Sequence, residues 1–328
     1  MSPPPAAEMS AEIAAPAKVN LGLRIVGVRA DGYHELESLF VPLDLADGLR
    51  LRVEEAAETT VEIVVEVAPG VPGEVPSDGR NLAVRAAGAF LARAGLTARV
   101  GLQLRKRIPS PGGLGGGSSD AAAVLRGLAA HFPGALAPDE LARLGLELGA
   151  DVPFFLGPDA SGPEPARVGG VGEDVAPEAG VPALALALIH PGPSLETARV
   201  YAEFDALAAG PASLTGPGGA PTMPALQAPA PPDPDRWRSA EWLTHLLAND
   251  LEPAARRLCP EIGRAHDALA ATGALAVGLT GSGPTLFGIF PDAPAASKAL
   301  KGSALRNHVA AVGGWTGVAK TVASRERS

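Results

Sequence analysis

Hydrophobic residues recur along this chain with two different periods, and each period predicts a type of secondary structure. Where apolar and polar residues alternate, successive side chains point to opposite faces, and a half-buried strand is expected. Where apolar residues recur every three to four positions, a helix is expected. In the first half, strands are predicted over residues 13–27, 36–45, 49–56, 59–67 and 99–108, and helices over 80–94, 118–131 and 138–148.

The second half of the chain mixes the same two patterns. A Gly- and Pro-rich segment, 157–180, predicts a short hairpin and the junction between two domains. A mixed order of strands and helices is typical of an α+β fold. Beyond the junction, strands are predicted over 182–190, 274–280, 284–291 and 311–322, and helices over 196–207, 240–253, 260–272 and 293–302.

The pattern also predicts the domain organisation. We expect a disordered tail at 1–12, an N-terminal domain at 13–168 and a C-terminal domain at 169–322. The C-terminal domain contains a Pro/Gly/Ala-rich segment, 210–235, with almost no apolar periodicity, which predicts a flexible insertion. A chain of 328 residues is long enough for two moderate domains with sizeable cores.

Composition narrows the class of function. The formal net charge is −9 and the isoelectric point is near 5.2, so the chain lacks the basic field of a nucleic-acid-binding or membrane-surface protein. The lone Cys259 excludes an internal disulfide framework, and no apolar run reaches the length of a membrane span. The first residues have neither the basic nor the apolar region of a signal peptide. We therefore expect a cytoplasmic protein, a monomer or weak homodimer, whose partner is a small molecule.

The most informative segment is a glycine run that leads into a helix. Five glycines lie between Gly112 and Gly117, and strong helix formers follow at Ala121. Glycines allow backbone N–H groups to approach a ligand closely, and a helix that starts there directs unpaired N–H groups and a positive dipole end at it. Ser118, Ser119 and Asp120 are common N-cap types. The segment therefore predicts a phosphate-binding loop, and the alternative is an ordinary glycine-rich turn.

Two familiar nucleotide-binding patterns do not fit this loop. No Gly-Lys-Ser/Thr follows the glycines, so it is not a Walker A loop. The preceding strand, 100–108, alternates instead of running continuously apolar, so the match to a Rossmann fingerprint is weak.

Four blocks of sequence carry a resemblance to a known family. Residues 109–118 fit the pattern Pro-x-x-x-Gly-Leu-Gly/Ser-x-x-Ser and resemble the phosphate loop of the GHMP kinases, and 278–287 resembles a further motif of that superfamily. Two other blocks resemble one family within it, the 4-diphosphocytidyl-2-C-methyl-D-erythritol kinases. They are Pro-Ala-Lys-x-Asn-Leu at 16–21 followed by Arg-x-Asp-Gly-Tyr-His at 29–34, and Gly-Ala-Asp-Val-Pro at 149–153. The blocks span residues 15 to about 290, which is most of the chain.

The resemblance implies a fold and an activity. The fold is the two-domain α+β GHMP kinase fold, with an N-terminal mixed β/α domain like the second domain of a small-subunit ribosomal protein and a C-terminal ferredoxin-like α/β layer. The implied activity is ATP-dependent phosphorylation of the 2-hydroxyl of 4-diphosphocytidyl-2-C-methyl-D-erythritol, in the non-mevalonate route to isoprenoid precursors. No counterpart of the glutamate that holds Mg²⁺ in many GHMP kinases is found here, so we expect Mg²⁺ to arrive with ATP, bound mainly by phosphates and water.

Two ionisable residues are candidates for catalysis. Asp151 lies in an apolar stretch, where an aspartate is either a cap or turn former or a site residue. Lys18 lies among apolar neighbours on a predicted strand, and a buried lysine usually has an anionic partner. The alternative is an exposed lysine of an edge strand. The resemblance makes Asp151 the catalytic base and Lys18 its electrostatic partner.

The remaining candidate residues are assigned by the same resemblance. Aromatic rings bind bases by stacking, and Tyr33 and Tyr201 would hold the cytosine between them. ATP phosphates are assigned to Pro109, Gly112, Gly113, Leu114, Gly115, Gly116, Gly117, Ser118 and Ser119, and the second substrate to Asn20, Tyr33, His34, Tyr201, Gly281 and Ser282. For the aromatic residues the alternative is a half-buried ring with a structural role, and for 281–283 a simple hairpin turn.

Three other functions are compatible with parts of the sequence. A GHMP kinase for another alcohol, such as homoserine or mevalonate, would share the loop, but the Asp-Gly-Tyr-His turn argues against it. A non-catalytic nucleotide sensor would be expected to lack Lys18 or Asp151, and both are present. Nucleic-acid binding is disfavoured by the acidic charge.

Overall fold

The computed structural model describes residues 11–208 and 234–325. Most of the predicted strands and helices are confirmed, with changed ends. The strands are β1 Ile13–Val28, β2 His34–Glu55, β3 Thr60–Val67, β4 Ala98–Lys106, β5 Ala166–Gly170, β6 Asp174–Pro177, β7 Ala185–His190, β8 Ala276–Leu279, β9 Leu286–Phe290 and β10 Trp315–Lys320. The helices are α1 Leu82–Ala94, α2 Gly116–His131, α3 Pro138–Leu148, α4 Val152–Leu156, α5 Thr197–Ala208, α6 Ala240–Leu246, α7 Glu252–Leu258, α8 Pro260–Ala270, α9 Ala293–Lys301 and α10 Ser303–Ala311.

The chain divides into two compact units that interleave along the sequence. Of the described residues, the first contains 11–17, 46–108 and 115–163, and the second contains 18–45, 109–114, 164–208 and 234–325. Long strands β1 and β2 and the glycine loop therefore each contribute residues to both units. The division differs from the one expected from the sequence, which placed a single boundary at 168–169, because a strand pattern does not indicate that one strand serves two cores.

The first unit packs helices against a small mixed sheet. Strand β4 pairs in parallel with β3 and antiparallel with the second half of β2, from Gly48 to Glu55. Helices α1, α2 and α3 are amphipathic or apolar on the face that they bury, including the alanine-rich run 121–123 of α2. Small side chains at these positions allow the helices to approach one another closely.

The second unit contains an antiparallel sheet of strand order β10-β7-β9-β8. In chain order these are the fourth, first, third and second strands, which is the arrangement of a ferredoxin-like layer, and helices α5 to α10 come between them. Its core is built from apolar side chains of β7, β8, β9 and helices α7 to α10. The first half of β2 pairs with β5, and β5 forms the predicted hairpin with β6. The α+β class and the ferredoxin-like layer are confirmed.

Strand β2 is continuous where two strands were predicted. The Ala46-Asp47-Gly48 sequence resembles a turn, but the Asp47 carboxylate instead accepts hydrogen bonds from Lys106 and from the backbone N–H groups of Arg107 and Ile108. A side chain used in this way cannot close a local turn on its own backbone. The tertiary contact therefore overrides the local signal.

The start of α2 also differs from the prediction. The helix begins at Gly116, and its N-cap is Gly115, in the left-handed conformation at φ 72°. Ser118, Ser119 and Asp120 therefore lie inside the first turns, and the expectation that one of them caps the helix is wrong. Asp120 forms an ion pair with Lys106 instead.

Three further differences concern short elements. Helix α4 is five residues long and was not predicted, and α10 occupies residues that were left without a predicted element, except for Ala311, where the last strand was expected to begin. The segment predicted as one helix around 240–253 is two, because Asn249 interrupts it: its side chain accepts the Leu251 N–H and donates to the carbonyls of Leu279 and Gly281. The predicted tail at 1–12 and insertion at 210–235 lie outside the described residues, apart from Ala11, Glu12 and a 3₁₀ turn at Pro234–Arg238. Within the described residues, no helix combines the length and the apolar character that a bilayer crossing needs.

Candidate active site

The glycine loop has two arms, one in each unit. Residues 109–114 form the first arm and belong to the second unit, while 115–119 form the second arm and begin α2 in the first unit. Gly113 and Gly115 both have positive φ, 73° and 72°, a conformation that glycine adopts without strain. The sequence-based interpretation of the glycine run as a turn that starts a helix is therefore confirmed, and its role in phosphate binding stays a prediction.

The second arm leaves space beside its backbone. A methyl group placed on Gly117 would meet no atom within 4 Å, so the region next to its Cα is open. Ser118 is half-buried, whereas Ser119 is fully buried and its hydroxyl has no hydrogen-bond partner among the described residues. Ser118 is therefore the more accessible of the two serines that were predicted to contact phosphate.

Behind this arm lies a buried cluster of three charged groups. Lys106 of β4 donates hydrogen bonds to Asp47 and Asp120, and all three side chains are almost fully buried. Two carboxylates share one ammonium group, so burial and the neighbouring Asp47 raise the pKa of Asp120 to about 7. Burial lowers the pKa of Lys106, but the adjacent carboxylates of Asp120 and Asp47 outweigh this effect and raise it, so Lys106 stays protonated. The cluster fixes the first turn of α2 to β4.

Asp151 lies at the junction of α3 and α4. It is the residue before α4, half-buried, and its side chain does not bond to the backbone N–H groups of that helix. Asp151 therefore occupies the N-cap position of α4 without a capping hydrogen bond from its side chain. Arg126 of α2 fixes the other end of α4, because it donates to the Phe155 carbonyl at 2.5 Å and to the Ala14 carbonyl at 2.9 Å.

Lys18 lies in β1 and is 2% exposed, so it is not a solvated lysine of an edge strand. Its Nζ donates to Asn20 Oδ1 at 2.6 Å and lies 4.6 Å from the centre of the Phe40 ring, a cation–π distance. Its backbone N–H donates to the Leu114 carbonyl at 3.0 Å, which joins it to the first arm of the loop.

Asn20 and the turn at 280–284 lie next to Lys18. Asn20 donates to Ser38 at 2.9 Å, and Thr280 Oγ1 lies 3.1 Å from both Asn20 Oδ1 and the Gly113 carbonyl. A methyl group on Gly281 would lie 3.5 Å from Lys18 Nζ, so the turn presents its backbone to the lysine. Ser282 is paired with Thr197 at 3.0 Å between hydroxyl oxygens. The turn joins β8 to β9, as the simpler interpretation predicted, and it also contacts Lys18 and the loop.

The residues predicted to hold a base, Tyr33, His34 and Tyr201, make up what we call the aromatic group. The Tyr33 side chain is 65% exposed on the turn between β1 and β2. His34 packs against Tyr201 of α5 with 4.9 Å between ring centres, and its Nε2 lies 2.7 Å from Asp205. Arg29 forms ion pairs with Glu35 and Glu173 and so fixes the turn that carries Tyr33.

Sequence reasoning missed several residues at these positions. Phe204 and Asp205 lie one helical turn after Tyr201 and contact His34, so the helical spacing could have indicated them. Nothing in the local sequence indicates the others, because their partners are far away in the chain. They are Phe40, Asp47, Lys106, Arg126, His190 and Thr280.

Comparison with known proteins places these features in a family. The model of the GHMP kinase N-terminal domain matches residues 81–157, and that of the C-terminal domain matches 222–303. A protein of Anaeromyxobacter dehalogenans strain 2CP-C, named 4-diphosphocytidyl-2-C-methyl-D-erythritol kinase, is 44% identical over 308 residues, which cover 93% of this chain and 87% of that protein.

Solved structures agree with this relationship. A crystal structure of a 4-(cytidine 5'-diphospho)-2C-methyl-D-erythritol kinase matches 94% of this chain and 99% of its own at 35% identity, with a TM-score of 0.68. A homoserine kinase from Cytophaga hutchinsonii matches at 18% identity and a TM-score of 0.61, which supports the fold alone. The identity and the coverage of whole chains show that this chain belongs to the family of 4-diphosphocytidyl-2-C-methyl-D-erythritol kinases, within the GHMP kinases.

Proposed function

We propose that this protein transfers the γ-phosphoryl group of ATP to the 2-hydroxyl of 4-diphosphocytidyl-2-C-methyl-D-erythritol. The observation that carries the proposal is the identity of 44% over 93% of the chain to a kinase of that name. Phosphoryl transfer to an alcohol needs a cradle for phosphates, positive charge near the transferred group and a group that accepts the hydroxyl proton. Residues of this chain supply each of these three parts.

The glycine loop is the proposed cradle for the ATP phosphates. The open space beside Gly117 is next to the first turn of α2, where unpaired N–H groups and the positive end of the helix dipole favour an anion. Ser118, half-buried in the same turn, has a hydroxyl group that can donate to a phosphate oxygen. These features fit a triphosphate.

Magnesium is proposed to enter as a complex with ATP. Among the described residues, no group of three or more His, Cys, Asp or Glu side chains is arranged to hold a metal ion. Mg²⁺ keeps several water ligands and is commonly held by substrate phosphates with one or two protein oxygens. A magnesium ion carried by the ATP phosphates therefore does not need a cluster of protein side chains. When bound, it neutralises part of the charge on the phosphates.

Asp151 is the proposed general base. In the forward reaction its carboxylate accepts the proton of the substrate hydroxyl, whose oxygen then forms a bond to the γ-phosphorus. The bond from that phosphorus to the bridging oxygen breaks, and ADP leaves with the electron pair. Lys18 is proposed to stabilise the negative charge on the transferred group, and its contacts to Asn20 and Phe40 restrict the position of its ammonium group.

The cytidine end of the substrate is proposed to bind at the aromatic group. Tyr33 offers an exposed ring face for stacking, and the His34 ring is restricted by Tyr201 and Asp205. Asn20 and the backbone of Gly281 and Ser282 are proposed to contact the polyol. All these groups lie in the second unit.

Product analysis of the wild-type enzyme tests the reaction, and the Asp151→Asn variant tests the mechanism. ³¹P NMR of the wild-type reaction should show a phosphomonoester on the 2-hydroxyl, together with ADP. In Asp151→Asn we expect kcat to fall about 10²- to 10⁴-fold, the usual contribution of a general base, with little change in the KM for ATP. Asp139→Asn, an exposed carboxylate at the start of α3, is the matched control and should retain wild-type kcat. A wild-type kcat in folded Asp151→Asn would contradict the assigned role.

A further inference from the structure

The buried imidazole of His190 contacts the first arm of the glycine loop. His190 ends β7 and is 2% exposed. Its Nε2 lies 3.0 Å from the Pro111 carbonyl oxygen, and its Nδ1 accepts the backbone N–H of Gly192 at 3.2 Å. All of these residues belong to the second unit.

The two backbone partners determine the tautomer of this histidine. The Gly192 N–H is a donor only, so Nδ1 must present its lone pair. The Pro111 carbonyl is an acceptor only, so Nε2 must carry the hydrogen. A neutral imidazole protonated at Nε2 satisfies both partners, and burial lowers the pKa of His190, which favours the same neutral form.

The contact to Pro111 is one of three in which a group outside the arm binds one of its carbonyl oxygens. Besides His190, Thr280 Oγ1 lies 3.1 Å from the Gly113 carbonyl, and the Lys18 N–H donates to the Leu114 carbonyl at 3.0 Å. Gly112 packs closely in this region, since a methyl group on it would lie 3.1 Å from Thr285 Oγ1 and 3.4 Å from His190 Cδ2. The carbonyl oxygens of Pro111, Gly113 and Leu114 are therefore directed at these partners.

This orientation has a consequence for the N–H groups. In a planar trans peptide, the carbonyl and the N–H of the next residue point in opposite directions. The Ser110–Pro111 and Gly283–Pro284 bonds are cis, and the peptides that follow Pro111, Gly113 and Leu114 are trans. The N–H groups of Gly112, Leu114 and Gly115 therefore each point away from the group that binds the carbonyl of the same peptide.

We propose that His190 is a positioning residue for nucleotide binding: its Nε2–H fixes the Pro111–Gly112 peptide so that the Gly112 N–H is presented to a phosphate of ATP. The inference rests on the proposed function, because it takes the loop to be the site of the ATP phosphates. His190 itself does not touch the nucleotide. Its effect is on the affinity for ATP and not on the affinity for the second substrate.

Two substitutions separate this role from simple packing. His190→Phe keeps a ring of similar size but loses both hydrogen bonds, whereas the His190→Gln amide can still donate to Pro111 and accept from Gly192. We expect His190→Phe to weaken the binding of a non-hydrolysable ATP analogue about tenfold, equivalent to about 1.4 kcal/mol, in titration calorimetry. His190→Gln should recover most of this loss. His245→Phe, an exposed histidine of α6 in the same unit, is the matched control.

Kinetics and spectroscopy supply the decisive readouts. In steady-state assays, His190→Phe should raise the KM for ATP and leave the KM for the cytidyl substrate unchanged; an equal rise in both, or none, would overturn the inference. If His190→Phe does not fold, ¹H–¹⁵N NMR of the wild-type imidazole decides, because a charged ring or an Nδ1–H tautomer would contradict it. Wild-type protein that binds the ATP analogue but does not phosphorylate the cytidyl substrate would refute the proposed function alone.

Discussion

At the scale of single residues, glycines give the most specific information about the loop. Gly113 cannot accept a side chain, since a methyl group would lie 2.3 Å from the Thr280 carbonyl oxygen and its φ is positive. Gly117 has no such restriction, because the space beside it is open. Packing explains the first glycine, and we attribute the second to the room that a phosphate group needs.

Gly117→Ala therefore separates folding from binding. In a helix, alanine is favoured over glycine by about 1 kcal/mol, and no neighbour opposes the methyl group, so the free energy of unfolding should stay the same or rise. If a phosphate occupies the space, the KM for ATP should rise at least about tenfold. Gly88→Ala in α1, where a methyl group also meets no atom within 4 Å, is the matched control for stability and should bind ATP normally. Unchanged ATP binding in Gly117→Ala would place the phosphates elsewhere.

The exposed ring of Tyr33 gives a second prediction at this scale. Because the side chain is 65% exposed, Tyr33→Ala should change the free energy of unfolding by less than about 0.5 kcal/mol. Loss of stacking on a base should cost about 1 to 3 kcal/mol, which raises the KM for the cytidyl substrate without raising that for ATP. Val28→Ala, a 63% exposed position that ends β1, controls for surface truncation. Equal changes in both KM values would count against stacking.

At the scale of elements, the Asp47–Lys106–Asp120 cluster connects strands β2 and β4 to the start of α2. Local sequence signals failed at both of its carboxylates, since a break between two strands was predicted where Asp47 lies and Asp120 was among the expected helix caps. Each carboxylate forms an ion pair with a lysine that is 59 or 14 residues away in the chain. Short-range patterns contain no information on such pairs, whereas strand β4 and helix α3 were predicted well because their periodicity is local.

The cluster should make stability depend on pH. Burial and the adjacent Asp47 raise the pKa of Asp120 in the folded protein from its ordinary value of 3.8 to about 7. Between these values the folded state binds more protons, so the free energy of unfolding should fall as the pH rises through this window. Asp120→Asn, which resembles the protonated side chain, should lessen that fall.

Chemical denaturation at about pH 4.5 and about pH 7.5 measures the effect of Asp120, because these values lie near the two ends of its titration window. Asp139→Asn, an exposed carboxylate, should keep the wild-type dependence on pH. If the free energy of unfolding differs between the two pH values by the same amount in wild type and in Asp120→Asn, the raised pKa of Asp120 is contradicted, and Asp120 is ionised in the folded protein.

At the scale of the whole molecule, the sequence allowed the α+β class, the ferredoxin-like layer and the family to be predicted, because motifs with fixed spacing occur along most of the chain. It did not allow the interleaved units to be predicted, since β1 and β2 each run through both and a periodic pattern does not mark that passage. Candidate residues near a motif were found, and those contributed by distant segments, such as His190 and Arg126, were not.

The most direct test of the proposed function is a coupled ATP-consumption assay with 4-diphosphocytidyl-2-C-methyl-D-erythritol, mevalonate, homoserine and galactose as separate acceptors. The proposal predicts turnover with the cytidyl substrate and none above background with the other three alcohols. Turnover with a different alcohol would contradict the assigned substrate while leaving the phosphate loop in place. Folded protein that binds ATP and turns over none of the four acceptors would contradict the assignment of this chain as an active kinase and favour a nucleotide sensor.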